Sequence, residues 1–121
     1  KRRPTPGKSE VMNIVGNVKN KTCLIVDDII DSGGTIVNAA RALKDKGAKD
    51  IYAYITHAVL SANAVDKIKK SQLKKLVTTD SIDNLKKIKK ITKIEVISIA
   101  SMMSEAIKRI SNSTSVSSLF K

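Results

Sequence analysis

Residues 22–43 are TCLIVDDIIDSGGTIVNAARAL, and the change of pattern inside this stretch decides the fold. The apolar run at residues 22–26 indicates a strand that stops at two aspartates. After the glycine pair, apolar residues recur with the spacing of one helix face, at Ile36, Ala39, Ala40 and Leu43. Gly47 follows as the residue that ends this helix. The stretch therefore predicts a strand, a glycine-containing loop and a helix, in that order.

The alternation of strand and helix continues along the chain. Short apolar runs predict four further strands, at residues 11–15, 51–56, 76–79 and 94–99. Apolar spacing predicts a short helix around residues 64–68 and a terminal helix whose apolar face spans residues 102–110. Strands that alternate with helices favour parallel βαβ units. We therefore predict an α/β fold with a mainly parallel sheet flanked by helices.

Length and composition limit the domain organisation and the classes of partner. A chain of 121 residues with 41% hydrophobic residues has room for one domain. The sequence has no apolar run near the roughly 20 residues of a membrane span and no signal segment, and its single cysteine, Cys23, excludes an internal disulfide. The net charge of +12 raises nucleic acid as a partner, but the lysines between Lys67 and Lys93 have no interleaved aromatic residues. We expect a cytoplasmic protein with small anionic substrates, no nucleic acid and no membrane contact.

Residues 27–35 carry the chemistry. They follow a strand of a parallel sheet, at the edge where α/β proteins bind ligands. The glycine pair lets a ligand approach the main chain, so that successive N–H groups face an anion, and Ser32 and Thr35 add hydroxyl donors. A phosphate suits these donors, while the carboxylates of Asp27 and Asp28 suit the hydroxyls of a sugar. The loop predicts a sugar phosphate site.

A purely structural interpretation of the same loop is open. Asp31 and Ser32 could cap the helix, the glycines could make a tight turn, and Asp27 with Asp28 could be an ordinary strand exit. The unbroken run of strand, carboxylates, hydroxyl, two glycines and threonine is more specific than a lone glycine pattern, so the sugar phosphate interpretation is favoured.

The loop VDDIIDSGGT at residues 26–35 resembles the phosphoribosyl-diphosphate signature that type I phosphoribosyltransferases and ribose-phosphate pyrophosphokinases share. The outer sequence separates the two classes. Five segments resemble the pyrophosphokinase: KRRP at 1–4, VMNIVGNV at 11–18, TH at 56–57, SEAI at 104–107 and SVSSLF at 115–120. The resemblance covers essentially all 121 residues and corresponds to the C-terminal part of that enzyme.

The resemblance implies an activity as well as a fold. It implies a type I phosphoribosyltransferase-like, Rossmann-like fold in an incomplete domain, 1–121, with a catalytic flexible arm at 1–10 and a C-terminal extension at 111–121. The implied reaction transfers the diphosphoryl group of ATP to the C1 hydroxyl of ribose 5-phosphate, giving phosphoribosyl diphosphate and AMP for nucleotide biosynthesis. Mg²⁺ is the implied cofactor, and a homo-oligomer, specifically a hexamer, is the implied assembly. An inhibitory nucleotide or an activating phosphate is a further implied partner.

The resemblance also implies roles for individual residues. The catalytic positions fall on Lys1 and Arg3. The ribose 5-phosphate contacts fall on Arg3, Asp27, Asp28, Asp31, Ser32, Gly33, Gly34 and Thr35. An allosteric phosphate or nucleotide site falls on Ser115 and Ser117. No metal ligand is assigned in this chain, and the ATP pocket matches no segment of it, so the isolated chain is expected to be inactive.

Some positions depart from the family pattern or leave alternatives open. Ser32 stands where threonine is commoner and keeps the hydroxyl, while Asn17 replaces an aspartate and Asn20 stands where glycine is frequent. His57, the only histidine, follows a strand, and a packing or hydrogen-bonding role is favoured over a catalytic one. Two alternatives to the kinase remain: a phosphoribosyltransferase that consumes phosphoribosyl diphosphate, and a non-catalytic regulatory subunit. The intact Lys1, Arg3 and loop count against the regulatory subunit.

Overall fold

Strands and helices alternate along the part of the chain that the computed structural model describes, residues 13–120. The strands are β1 (Cys23–Ile30), β2 (Ile51–Ala58), β3 (Lys75–Thr79) and β4 (Ile94–Ile97). The helices are α1 (Gly34–Asp45), α2 (Ala64–Lys70), α3 (Leu85–Ile88) and α4 (Ala100–Ser111), followed by a 3₁₀ turn at Ser117–Phe120. From residue 22 onward, the predicted strands and helices occur in the predicted order, and α3 is an additional helix in the lysine-rich stretch that the sequence pattern did not mark as helical.

All pairings in the sheet are parallel, and each strand pairs with the next one along the chain, in the order β1-β2-β3-β4. Connections between parallel strands are almost always right-handed. Because this strand order never reverses, right-handed connections place α1, α2 and α3 on the same face of the sheet. The predicted α/β fold with a parallel sheet is confirmed.

The helix-covered face of the sheet carries the core. Ile51, Ile55 and Leu76 point to this face and are at most 3% exposed. They pack in one cluster with Ile36 of α1 and Ile68 of α2. The residue types explain the burial, because branched aliphatic side chains fill a pleated surface well and the chain has almost no aromatic residues to replace them.

The opposite face of the sheet is open to solvent. Leu24 and Val26 of β1 are 52% and 72% exposed, and Tyr54 of β2 and Ile97 of β4 are 49% and 54% exposed. Exposed apolar side chains on three strands of one sheet are unusual for a complete α/β domain, because both faces of a parallel sheet are normally covered. This open face fits the expected incomplete domain.

Three predicted elements match the structure to different degrees. The helix α1 ends as predicted: Gly47 has a φ of 87°, and the N–H of Ala48 donates to the carbonyl of Leu43 at 3.1 Å. The strand β1 runs four residues beyond the predicted end at Val26, because its residues up to Ile30 continue to pair with β2. The strand predicted at residues 11–15 is wrong for its described part, since residues 13–15 have no regular secondary structure.

Asp80 ties the end of β3 to the start of α4. Its Oδ1 accepts a hydrogen bond from the N–H of Ile99 at 2.9 Å, and its own N–H donates to the carbonyl of Ile97 at 3.2 Å. Hydrogen bonds from Ser98 and from the Ile99 amide lower the pKa of the Asp80 carboxyl. The ionised form of Asp80 is therefore favoured in the folded protein.

We expect Asp80→Asn to remove a pH-dependent part of the stability. A carboxyl whose pKa is lower in the folded state stabilises the fold above its ordinary pKa, and this contribution disappears as the pH falls through the lowered folded pKa. Unfolding midpoints should therefore separate wild type from Asp80→Asn at neutral pH and converge in acid. Asp45→Asn at the exposed end of α1 removes the same charge as a control. A constant difference between wild type and Asp80→Asn at all pH values would contradict the expectation.

Candidate functional site

A cleft of about 170 Å³ opens at the carboxyl end of β1. It is lined by the end of the strand, the loop after it and the first turn of α1, namely Asp27, Ile29, Ile30, Asp31, Ser32, Gly33, Gly34, Thr35 and Ile36. One continuous segment thus supplies two carboxylates, two hydroxyls and the amino end of a helix to a single opening. All the predicted loop residues meet there except Asp28.

Asp27 and Asp28 do not share the cleft. Asp27 is half-buried and lines it, whereas Asp28 is exposed and is not among the lining residues. Successive side chains of a strand point to opposite faces, which separates the two carboxylates. The N–H of Asp28 donates to Oδ1 of Asp27 at 2.9 Å, so the backbone holds the Asp27 carboxylate at the cleft.

Gly33 makes the turn from the loop into α1. It is buried, has a φ of 76° and a ψ of −3°, and occupies the position just before the helix. No side chain among residues 13–120 caps α1, so the interpretation of Asp31 and Ser32 as mere helix caps is wrong. The first helical bond in this turn runs from the N–H of Val37 to the carbonyl of Gly33.

The first-turn amides of α1 are consequently available to a ligand. The initial N–H groups of a helix have no partner within it, and they concentrate its partial positive charge. Gly34, Thr35 and Ile36 all line the cleft. Thr35 and the nearby Ser32 are exposed, so their hydroxyls are accessible. Amides, hydroxyls and a helix amino end form the donor set that binds a phosphate.

Replacing Gly33 by alanine should lower the free energy of unfolding by roughly 1–2 kcal/mol, because a side chain disfavours the left-handed conformation. An added Cβ would lie 3.7 Å from Ala64, which is ordinary contact, so the cost is backbone strain rather than a clash. Gly34→Ala is the matched control, since Gly34 is helical and alanine is the better helix former. Equal stability of the two variants in urea unfolding would contradict this account.

The connection between β2 and α2 supports the loop from behind. The N–H groups of Val59 and Leu60 both donate to the carbonyl of Ile30, at 3.0 and 3.2 Å. The N–H of Ser61 donates to the carbonyl of Asp31 at 3.1 Å, and Nζ of Lys67 donates to the carbonyl of Ser32 at 3.1 Å. Three consecutive carbonyls of the loop are therefore held by this connection.

Backbone strain accompanies these contacts. Leu60 and Ala62 have φ values of 52° and 47°, in the left-handed region that residues with side chains rarely occupy. Such conformations persist where the surroundings hold them, and they cluster at ligand sites. The sequence pattern does not mark this connection as part of the site, because its contacts to the loop join residues about 30 positions apart and are not local.

His57 has a structural partner. Its Nδ1 lies 2.8 Å from Oγ of Ser81, and Ser81 Oγ is also 3.2 Å from the carbonyl of Thr56. These contacts join the end of β2 to the loop after β3, and His57 is not among the residues that line the cleft. The favoured hydrogen-bonding role of His57 is confirmed.

Ser115 and Ser117 lie in the segment after α4. Their Oγ atoms are 2.8 Å apart, and both residues are exposed. Arg109 docks this segment on α4, because it donates to the Ser115 carbonyl at 3.1 Å and to Oγ of Ser118. The Nε of Arg109 also bonds Oε1 of Glu105 at 2.8 Å, which lowers the pKa of that carboxyl. Neither serine lines the cleft at β1.

Comparison with known proteins agrees with this arrangement. The profile of the phosphoribosyl synthetase-associated domain matches residues 3–121. The chain belongs to this family. The ribose-phosphate pyrophosphokinase of Bradyrhizobium diazoefficiens is 58% identical to this phosphoribosyl synthetase-associated domain over 120 residues, which are 99% of the chain and 38% of the relative. The ribose-phosphate pyrophosphokinase of Vibrio parahaemolyticus is 51% identical over 120 residues, which are also 99% of this chain and 38% of that relative.

A solved structure shows the same fold. The crystal structure of phosphoribosylpyrophosphate synthetase from Mycobacterium smegmatis matches the structure of this chain with a TM-score of 0.80 and 33% sequence identity. The match covers 88% of this chain and 35% of that one. The chain thus spans little more than a third of the length of these relatives. The resemblance to ribose-phosphate pyrophosphokinases and the type I phosphoribosyltransferase-like fold are confirmed.

Lys1 and Arg3 lie outside the described residues. Within residues 13–120, no group of three or more histidine, cysteine, aspartate or glutamate side chains could hold a metal ion. Asp27 and Asp28, being separated, do not form a chelating pair, so the described residues do not make up a Mg²⁺ site by themselves. No helix in the described range is long and apolar enough to cross a membrane.

Proposed function

We propose that the protein containing this chain is a ribose-phosphate diphosphokinase that acts in nucleotide biosynthesis. The C1 hydroxyl oxygen of ribose 5-phosphate attacks the β-phosphorus of ATP, the bond from that phosphorus to the bridging oxygen of the α-phosphate breaks, and AMP leaves. The hydroxyl proton is released, and the other product is phosphoribosyl diphosphate. The observation that carries this proposal is the cleft, where hydrogen-bond donors suited to a phosphate lie beside the Asp27 carboxylate. The chain is also 58% identical to a ribose-phosphate pyrophosphokinase.

In this proposal the cleft binds the acceptor substrate. The 5-phosphate meets the first-turn amides of α1 and the hydroxyls of Ser32 and Thr35, while Asp31, Gly33 and Gly34 shape the loop. Asp27 accepts hydrogen bonds from the ribose hydroxyls. Asp28 points away from the cleft, so we assign it at most a second contact with the sugar. A carboxylate beside a phosphate site is useful here, because the ribose hydroxyls need acceptors.

The donor side of the reaction rests on residues outside the range 13–120 and on further parts of the protein. Lys1 and Arg3 are proposed to stabilise the charge that develops on the transferred diphosphoryl group, Lys1 as a point charge and Arg3 as a bidentate donor. Arg3 also contacts ribose 5-phosphate in this proposal. Mg²⁺ would screen the phosphates of the two substrates from each other, and those phosphates would supply most of its oxygen ligands.

Organisation and regulation are proposed on the same basis. Residues 1–121 form one phosphoribosyltransferase-like domain fragment, with an arm at 1–10 and an extension at 111–121. The intact protein forms a homo-oligomer, a hexamer by resemblance, in the cytoplasm. Ser115 and Ser117 contribute to an allosteric site for an inhibitory nucleotide or an activating phosphate. Both serines are exposed and their Oγ atoms lie 2.8 Å apart, in a segment that Arg109 holds through the Ser115 carbonyl, which supports this assignment.

Product analysis of the intact protein tests the proposed function. With ATP, Mg²⁺ and ribose 5-phosphate, we expect AMP and phosphoribosyl diphosphate in equal amounts, and no AMP when ribose 5-phosphate is omitted. Release of pyrophosphate from phosphoribosyl diphosphate and a base, without AMP formation, would establish a phosphoribosyltransferase instead. Binding of ribose 5-phosphate with neither reaction would point to a regulatory subunit. The isolated 121-residue chain should not turn over, because it lacks most of the length of its relatives.

A further inference from the structure

Lys67 extends from α2 to the rear of the proposed phosphate loop. Its Nζ donates to the main-chain carbonyl of Ser32 at 3.1 Å, although the two residues are 35 positions apart in the chain. Lys67 does not line the cleft, whereas Ser32 and Gly33 do. The lysine therefore contacts the loop from outside the cleft.

The contact fixes the direction of a peptide group. In a planar trans peptide the carbonyl of one residue and the N–H of the next point in opposite directions. The Ser32 carbonyl points to Lys67, so the N–H of Gly33 points the opposite way. The Asp31 carbonyl likewise points to the N–H of Ser61 at 3.1 Å, which turns the N–H of Ser32 away from the β2–α2 connection. The amides of Ser32 and Gly33, two residues that line the cleft, thereby face away from these supporting groups.

Lys67 also changes the electrostatics of the loop. A carbonyl oxygen carries partial negative charge, and one turned toward the cleft would oppose a phosphate. The Lys67 ammonium offsets the partial negative charge on the Ser32 carbonyl oxygen and adds a unit positive charge behind the loop. The other lysines at the end of α2 differ: Lys69 pairs with Asp66 at 3.7 Å, and the Lys70 side chain makes no hydrogen bond or ion pair with another residue of the described range.

We propose that Lys67 is a positioning residue for ribose 5-phosphate, which it favours by orienting the Ser32–Gly33 peptide and by placing positive charge behind the phosphate loop. This inference rests on the proposed function and adds a residue to its acceptor site. Lys67 would act on substrate binding and not on the transfer step, because it bonds the main chain of the loop and does not itself line the cleft.

Steady-state kinetics of the intact protein test the inference. Lys67→Met should raise the KM for ribose 5-phosphate by about 5- to 10-fold and leave kcat within about twofold, since a charge-assisted hydrogen bond is lost outside the reacting centre. Lys67→Arg, which keeps the charge and can donate to the same carbonyl, should restore KM to within about twofold. Lys70→Met, on the same helix, removes the same charge without a contact to the loop and should leave both constants unchanged.

The dependence of KM on ionic strength distinguishes an electrostatic role of Lys67 from a purely structural one. The KM difference between wild type and Lys67→Met should narrow when salt is raised from about 0.05 M to about 0.5 M, because salt screens the added charge. A KM unchanged by Lys67→Met, or an equal effect of Lys70→Met, would overturn the inference. So would a rise in KM that Lys67→Arg does not reverse.

Calorimetric binding of ribose 5-phosphate keeps this test independent of turnover. If wild type forms no AMP, the proposed function fails, but the positioning role is then decided by affinity. Weaker binding by Lys67→Met than by Lys70→Met supports the role of Lys67 even in that case. Equal affinity of the two variants, or no binding by wild type, would overturn it.

Discussion

Lys1→Ala in the intact protein is expected to lower kcat for AMP formation by about 10²- to 10³-fold, the usual cost of removing one group that stabilises transition-state charge. The KM for ribose 5-phosphate should change little, because Lys1 is proposed to act on the transferred group alone. Arg3→Ala should lower kcat similarly and also raise this KM, because Arg3 is proposed to meet both partners. Initial rates of AMP formation with ribose 5-phosphate varied at saturating ATP measure both constants.

Lys89→Ala is the control for Lys1→Ala and Arg3→Ala. Lys89 is an exposed lysine after α3, so its removal lowers the net charge equally without touching the proposed site. Wild-type rates are expected for this variant. If Lys1→Ala and Arg3→Ala both kept wild-type kcat, diphosphoryl transfer would have to be stabilised by other cations, and the proposed catalytic roles would be wrong.

Leu76→Ala should lower the free energy of unfolding by about 2–5 kcal/mol, the range for leucine to alanine at a fully buried site. Leu76 is 0% exposed and lies in β3, between its partners Ala53 of β2 and Ile94 of β4. Truncation would leave a cavity beneath the helices that the surrounding strands cannot close without losing their own hydrogen bonds. Chemical denaturation with equal slopes for wild type and variant gives the difference.

Leu24→Ala provides the same chemical change on the open face of the sheet. Leu24 is 52% exposed, so its truncation removes little buried area, and the cost should stay below about 1 kcal/mol. A comparable loss of stability from Leu24→Ala and Leu76→Ala would show that the face described as open is covered in the protein.

The sequence predicted those parts of the fold that depend on local pattern. The helical spacing of Ile36 to Leu43 and the position of Gly47 marked α1, and the apolar runs marked every strand of the sheet. The end of β1 was missed because Asp27 and Asp28 break the apolar run, whereas the strand persists through its pairing with β2. Residues 13–15 show the converse, because apolar character alone does not create a strand without a paired neighbour.

The residues of the proposed site were likewise only partly predictable from the sequence. Residues from Asp27 to Thr35 are contiguous, so the loop could be identified before its shape was known. The different placement of Asp27 and Asp28 follows from the geometry of β1, which a sequence pattern does not resolve. Lys67 could not be distinguished from the other lysines around it, because its partner is a main-chain carbonyl that carries no sequence signal.

The unbroken strand order has a consequence for how the protein is made. Within residues 13–120 each strand pairs with the next one along the chain, so these pairings require no closure of a long loop. As the chain leaves the ribosome, β1 and β2 can pair before β3 is complete, and each later strand meets an edge that already exists. We therefore expect the phosphate loop and the β2–α2 connection behind it to form early in synthesis, before β4 has been added.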